Sequence, residues 1–147
     1  MAHVRKLIRD NIESTLTGLT TTGSKVFVTR VYPISAGSLP GLAIYTRSET
    51  SDYITIGSSR SVERSLVVTV EAYVQGTTGY DDQIDQIASE VEAALATDVT
   101  RGGYAKDTRI TAFDADYSAD PDQPVAYASI TVEVDYVTID GIPEVAA

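Results

Sequence analysis

Two stretches of this chain alternate strictly between apolar and polar side chains, and that alternation constrains the fold more than any other feature. In the first, Leu66, Val68, Val70, Ala72 and Val74 are interleaved with Val67, Thr69, Glu71 and Tyr73. In the second, Ala126, Ala128, Ile130, Val132 and Val134 are interleaved with Tyr127, Ser129, Thr131, Glu133 and Asp135. A period of two puts neighbouring side chains on opposite faces of a pleated strand. Each stretch therefore has one face for a core and one for water or another protein. A chain of 147 residues supplies one such core, so a single domain spanning residues 1–147 is expected.

The remaining pattern fills in around these strands. Val4, Ile8, Ile12, Leu16 and Leu19, with Leu7 beside them, recur every three or four residues and predict a helix over 4–19. Arg5, Lys6 and Arg9 lie in its first turns, where the helix dipole favours acids. A strand is expected over 25–32, closed by Pro33. Short strands at 42–45 and 53–56 would flank a polar tip at 47–52, and a longer strand would cover 62–74. Tyr80, Ile84, Ile87, Val91 and Leu95 mark a second amphipathic helix whose start is suited by Asp81 and Asp82. Two last strands, about 108–117 and 125–136, are joined by a loop rich in Asp and Pro. Consecutive strands grouped between helices predict an α+β fold, a mostly antiparallel sheet with two main helices packed on one face.

The charge is lopsided. Twenty-one acids against eleven bases give −10, which disfavours a grip on nucleic acid. Residues 1–64 carry a net +3, whereas residues 65–147 carry −13. Cysteine is absent, so disulfides, thiolate metal sites and cysteine nucleophiles are excluded. No apolar run is long enough to span a membrane as a helix. The N-terminus lacks the apolar core of a secretory signal, so synthesis and use in a cytoplasm are expected.

Chemical motifs are few. Residues 18–25 approach a phosphate-binding loop, but they end Ser24-Lys25 and link a helix to a strand, the reverse of the required order. Residues 114–122 place Asp114, Asp116, Asp120 and Asp122 at near-alternate positions, as calcium loops do. Ala119 stands where such a loop wants glycine, and Val125 where it wants a bidentate glutamate. The one histidine, His3, is near a terminus, which leaves a Ser-His-Asp triad poorly anchored. No pair of acids stands out by spacing for glycoside chemistry. No catalytic residue, metal ligand or cofactor is expected, and the chain reads as a non-enzyme. Tyrosine is abundant, with nine residues; Tyr45, Tyr53, Tyr73, Tyr127 and Tyr136 fall in expected strands, where they serve a core or an interface.

Several segments carry a resemblance: the helix from Val4 to Leu19, Val31-Tyr32-Pro33, the run from Leu39-Pro40-Gly41 to Tyr45, Glu49, the run from Arg64 to Ala72, the helix from Tyr80-Asp81-Asp82 to Leu95, and Val134-Asp135-Tyr136-Val137-Thr138 followed by Gly141-Ile142-Pro143. Their order resembles tailed-phage tail terminator proteins, the lambda-like minor tail protein U family. The resemblance spans nearly the whole chain and rests on order and length. It implies an α+β subunit that forms a ring of six, caps the tail tube, stops its growth and presents a docking surface to the head. Its partners would be further copies of itself, the tail tube protein and head–tail connector proteins, in the head-proximal tail of a virion. DNA would pass through the lumen without specific binding, with no membrane involved.

Within that expectation, Arg5, Lys6 and Arg9, or Arg60 and Arg64, are candidates to face acids of a neighbouring subunit, because a ring joins unlike patches. The expected loops at 34–40, 47–52, 57–61 and 119–124 offer tube contacts, with Arg47, Glu49, Asp52, Asp120 and Asp122 as candidates. A head–tail connector or neck ring is the alternative in the same class. A small calcium- or ligand-binding domain built on residues 114–122 is the alternative in another.

Overall fold

A computed structural model describes residues 2–28, 40–75, 79–117 and 125–147. The chain runs α1 (Val4–Leu16), β1 (Val26–Phe27), β2 (Gly41–Tyr53), β3 (Ser61–Gln75), α2 (Tyr80–Ala96), β4 (Asp107–Tyr117), β5 (Val125–Ile139) and β6 (Ile142–Ala146). The strands form one sheet in the order β1-β2-β3-β5-β4, and β6 pairs with the end of β5. All pairings are antiparallel except the short β1–β2 pair. Both helices pack on the same face, giving the α+β layer that the alternation predicts.

The two alternating stretches form the centre of this sheet. β3 and β5 pair along their whole length, from Ser61 opposite Ile139 to Gln75 opposite Val125. Leu66, Val68, Val70, Ala72 and Val74 are buried beneath the helices together with Ala126, Ala128, Ile130, Val132 and Val134. Val4, Ile8, Ile12 and Leu16 of α1 and Ile84, Ile87, Val91 and Leu95 of α2 close the core from above. Burial of the four α2 side chains contributes about 6–12 kcal/mol as an upper bound.

Three expectations need correction. The first helix stops at Leu16, because Thr17 is extended and Gly18 turns the chain with φ near 94°. The polar segment 47–52 is not a tip: it belongs to the second half of β2, paired with β3 from Ser48–Val67 to Asp52–Glu63. Long β3 offers backbone partners along that whole run, and this overrides the low strand preference of Ser, Glu and Asp. The turn lies instead at residues 54–60, where Gly57 and Ser59 have positive φ. The expected last strand continues past Tyr136 to Ile139, and β6 follows it. Of the strand expected at 25–32, Val26 and Phe27 are β1, and residues 29–39 lie outside the described residues, as does the loop at 118–124.

Two bulges decide which side chains go where. In β2, Thr46 faces Val68 and Ser48 faces Val67, so Arg47 is an extra residue. Before it, Leu42 and Ile44 point to the helices; after it, odd-numbered residues do, and Glu49 lies opposite Leu66 on the covered face. In β4 the extra residue is Thr111. That bulge turns Phe113 to the helix side and leaves Asp114 and Asp116 on the helix-free side.

Candidate interaction surfaces

The structure brings three of the singled-out residues together. Glu49 accepts from Arg5 Nη1 at 2.9 Å and Arg64 Nη1 at 3.2 Å on one oxygen, and from the Tyr136 hydroxyl on the other. Its side chain is only 8% exposed. Arg64 also donates through Nε to Thr138 Oγ1 at 3.0 Å. Burial, then the adjacent Glu49 carboxylate, pushes the Tyr136 hydroxyl well above the ordinary tyrosine value, so it stays a donor. The cluster also accounts for the cations at the start of α1. The first turn of that helix has no acid of its own, and Glu49 supplies one from the sheet.

The other proposed interface cations also have partners within the chain. Lys6 pairs with Asp10 one turn on, at 2.6 Å. Arg9 donates to Thr46 Oγ1 at 3.0 Å. Arg60 is bound to Asp140 at 2.5 Å and lies over the Tyr53 ring, 4.4 Å from its centroid. Among the proposed tube contacts, Arg47 and Asp52 are exposed positions of β2, Glu49 is buried in the cluster just described, and Asp120 and Asp122 lie outside the described residues.

His3 is neither catalytic nor idle. Its Nδ1 accepts the Arg5 backbone N–H at 3.0 Å and so caps α1. Burial, then Arg5, lowers its pKa and keeps this nitrogen free of a proton. The near-phosphate loop at 18–25 is a turn that ties α1 to α2, because Glu90 accepts both the Thr21 amide and hydroxyl, at 2.9 and 2.6 Å.

The helix-free face has a different chemistry. By register it carries Asp52, Glu63, Glu71, Asp107, Asp114, Asp116, Glu133 and Asp135, against Arg109 as its one described strand cation. Arg109 bridges Asp135 at 2.7 Å and Asp107 at 3.1 Å, and its hydrogen bond holds Asp135 below the ordinary carboxylate range. Tyr73 and Tyr127 stack at 5.7 Å between centroids. Glu71 accepts from the hydroxyls of Tyr45 and Tyr73. Val67, Glu71 and Tyr73 are half-buried here, and Thr69 and Ala43 are buried, although no described helix covers them. Asp114 and Asp116 lie two apart on this strand face rather than in a loop. Among the described residues no group of acids and histidine could hold a metal ion.

On the covered face, α2 leaves a groove of about 260 Å³ beside β4. Ala88, Ile110, Phe113 and Ile130 line its apolar part, and Asp85, Ser89 and Glu92 its polar part. Phe113 is 46% exposed, because α2 sits mainly over β3 and β5 and the helix layer ends before the sheet does.

Arg101 was invisible to sequence reading. It is fully buried with φ near 51°, and its Nη2 caps the end of α2 through the carbonyls of Leu95, at 2.6 Å, and Asp98. A non-glycine residue in a left-handed turn leaves no periodic signal. Tyr136 closes the expected last strand and Thr138 lies beyond it, so their place beside Glu49, across the sheet, could not be read from the alternation. No helix among the described residues is long and apolar enough to cross a membrane. No protein-family model and no curated protein matches the chain.

Proposed function

We propose that this protein is a structural subunit of a phage tail: copies form a ring that caps the tail tube, ends its growth and offers a surface to the head. The observation that carries this reading is the sheet face that no described helix covers, with its eight strand carboxylates against one described strand arginine. A charged sheet face free of described helices suits the wall of a channel. An acidic wall repels duplex DNA, which carries one negative charge per about 1.7 Å of axis. The genome then slides past without being held. The resemblance to the tail terminators supports the same reading, and assembly by shape needs no catalytic group.

The test is electron microscopy of purified tail tubes mixed with the full chain. Capped tubes of fixed length are expected when the protein is present during tube assembly. Tubes that grow unchecked, with no ring at either end, would count against the proposal. A ring that binds only when the portal is also present would place the protein in the neck instead. A calcium-binding module would stay monomeric and melt at higher temperature when calcium is added.

A further inference from the structure

We infer that the groove between α2 and β4 is a socket for an adjacent copy of this chain, which enters it with its opposite edge, formed by α1, β1 and β2. The inference rests on the ring reading and names the surfaces through which such a ring would close. Among the described residues, β4 is the outermost strand on one side of the sheet, and β1 beside β2 forms the other side. A contact between these two edges joins unlike patches, and repetition of such a contact about an axis closes a ring. The helix-free face of every copy would then line the same side of the ring wall.

Charge selects this pairing over the alternatives. α2 carries five acids and no base, and two of its acids, Asp85 and Glu92, flank the groove. Groove against groove would set these carboxylates against their own counterparts, which is repulsive. The opposite edge presents exposed Arg47 at the β2 bulge and Arg9 on α1, where Lys6 is balanced by Asp10, with Val28 40% exposed just after β1. An exposed valine on the same edge as these cations suits an apolar floor of Ile110, Phe113 and Ile130 with an acidic rim.

Two variants of the full chain test the inference. Phe113→Glu blocks the socket, and Arg47→Glu combined with Val28→Glu spoils the edge that enters it. Mass in solution is read by light scattering over a range of protein and salt concentrations, with circular dichroism to verify folding. Phe113→Ala serves as a milder socket variant if the glutamate disrupts the sheet. The wild type should form a closed oligomer that weakens as salt rises. Each variant alone should lose every species above the monomer. An equimolar mixture should give a one-to-one dimer and nothing larger, because only one intact socket and one intact edge remain. A folded socket variant that keeps the wild-type mass overturns the inference, as does a mixture that stays monomeric wherever the wild type assembles. Rings that persist but no longer cap tubes would assign the groove to the tube protein and overturn it too. Those outcomes leave the ring reading standing; a wild type that is monomeric both alone and on tubes removes the two together.

Discussion

Glu49 and Glu71 stand on opposite faces of the same strand pair, and both accept hydrogen bonds from tyrosine hydroxyls. On the helix-covered face, Glu49 also holds two guanidinium groups. On the helix-free face, Glu71 makes no ion pair among the described residues. The difference follows from solvent. A carboxylate beneath a helix has lost its water, and the two guanidinium groups take the place of that hydration. A carboxylate on a half-open sheet keeps enough water for two phenols to suffice. The covered face spends its cations on internal pairing, and the open face keeps its acids for whatever lies opposite.

The sharpest way to break this comparison is Glu49→Ala. It strands Arg5 and Arg64 and leaves the buried Tyr136 hydroxyl without an acceptor, so a loss of about 3–5 kcal/mol is expected in urea unfolding. A loss no greater than that of an exposed mutation would show that the cluster is held by packing alone. Alkali should act next. Burial, then the neighbouring glutamate, raises the pKa of both Tyr136 and Tyr73 in the folded protein. A raised folded pKa contributes stability that is complete below the unfolded value of about 10 and is lost as pH climbs towards the folded values. Urea midpoints should therefore fall above about pH 10, and by less in Glu49→Ala, which removes one cause of the Tyr136 shift.

On the open face, Glu71→Gln retains an acceptor for one of the two tyrosine hydroxyls and presents an amide donor to the other, which can rotate to accept. Stability should therefore change by less than about 0.5 kcal/mol. An effect as large as that of Glu49→Ala would erase the distinction between the faces. Deletion of Arg47 should disturb the core least. With the bulge residue gone, Thr46 and Ser48 still face Val68 and Val67 in an unbroken ladder, and Glu49 stays beneath α1. Near-native circular dichroism and a melting temperature above that of Glu49→Ala are the expected results.

The sequence made the core of this molecule legible and its clusters opaque, for a physical reason. The stripes of α1 and α2 and the alternation of β3 and β5 are periodic, and every residue predicted for the α2 stripe except half-buried Tyr80 is buried. The Glu49 cluster depends on a bulge at Arg47, which shifts the period by one residue and is invisible to a search for alternation. The same blindness made residues 47–52 look like a loop. β6 was missed because Pro143 and a span of five residues hide it, and because its pairing depends on β5 continuing past Tyr136. The lopsided charge was legible as a total. Its division between a sheet face, a helix and two edges became visible only from the strand order.

That strand order also has a kinetic consequence. β2–β3 and β4–β5 are local hairpins, but the β3–β5 seam joins residues 50 to 78 apart in sequence and is the longest ladder in the sheet. Each half can form on its own, whereas the seam must wait for β5 to be synthesised. Until then β3 presents a bare edge through Leu66-Val67-Val68-Thr69-Val70, five residues without charge or proline and with a strong preference for strand pairing. During translation the nascent chain is therefore most vulnerable to aggregation between the emergence of β3 and that of β5, and crowded expression should send it into inclusion bodies through this strand.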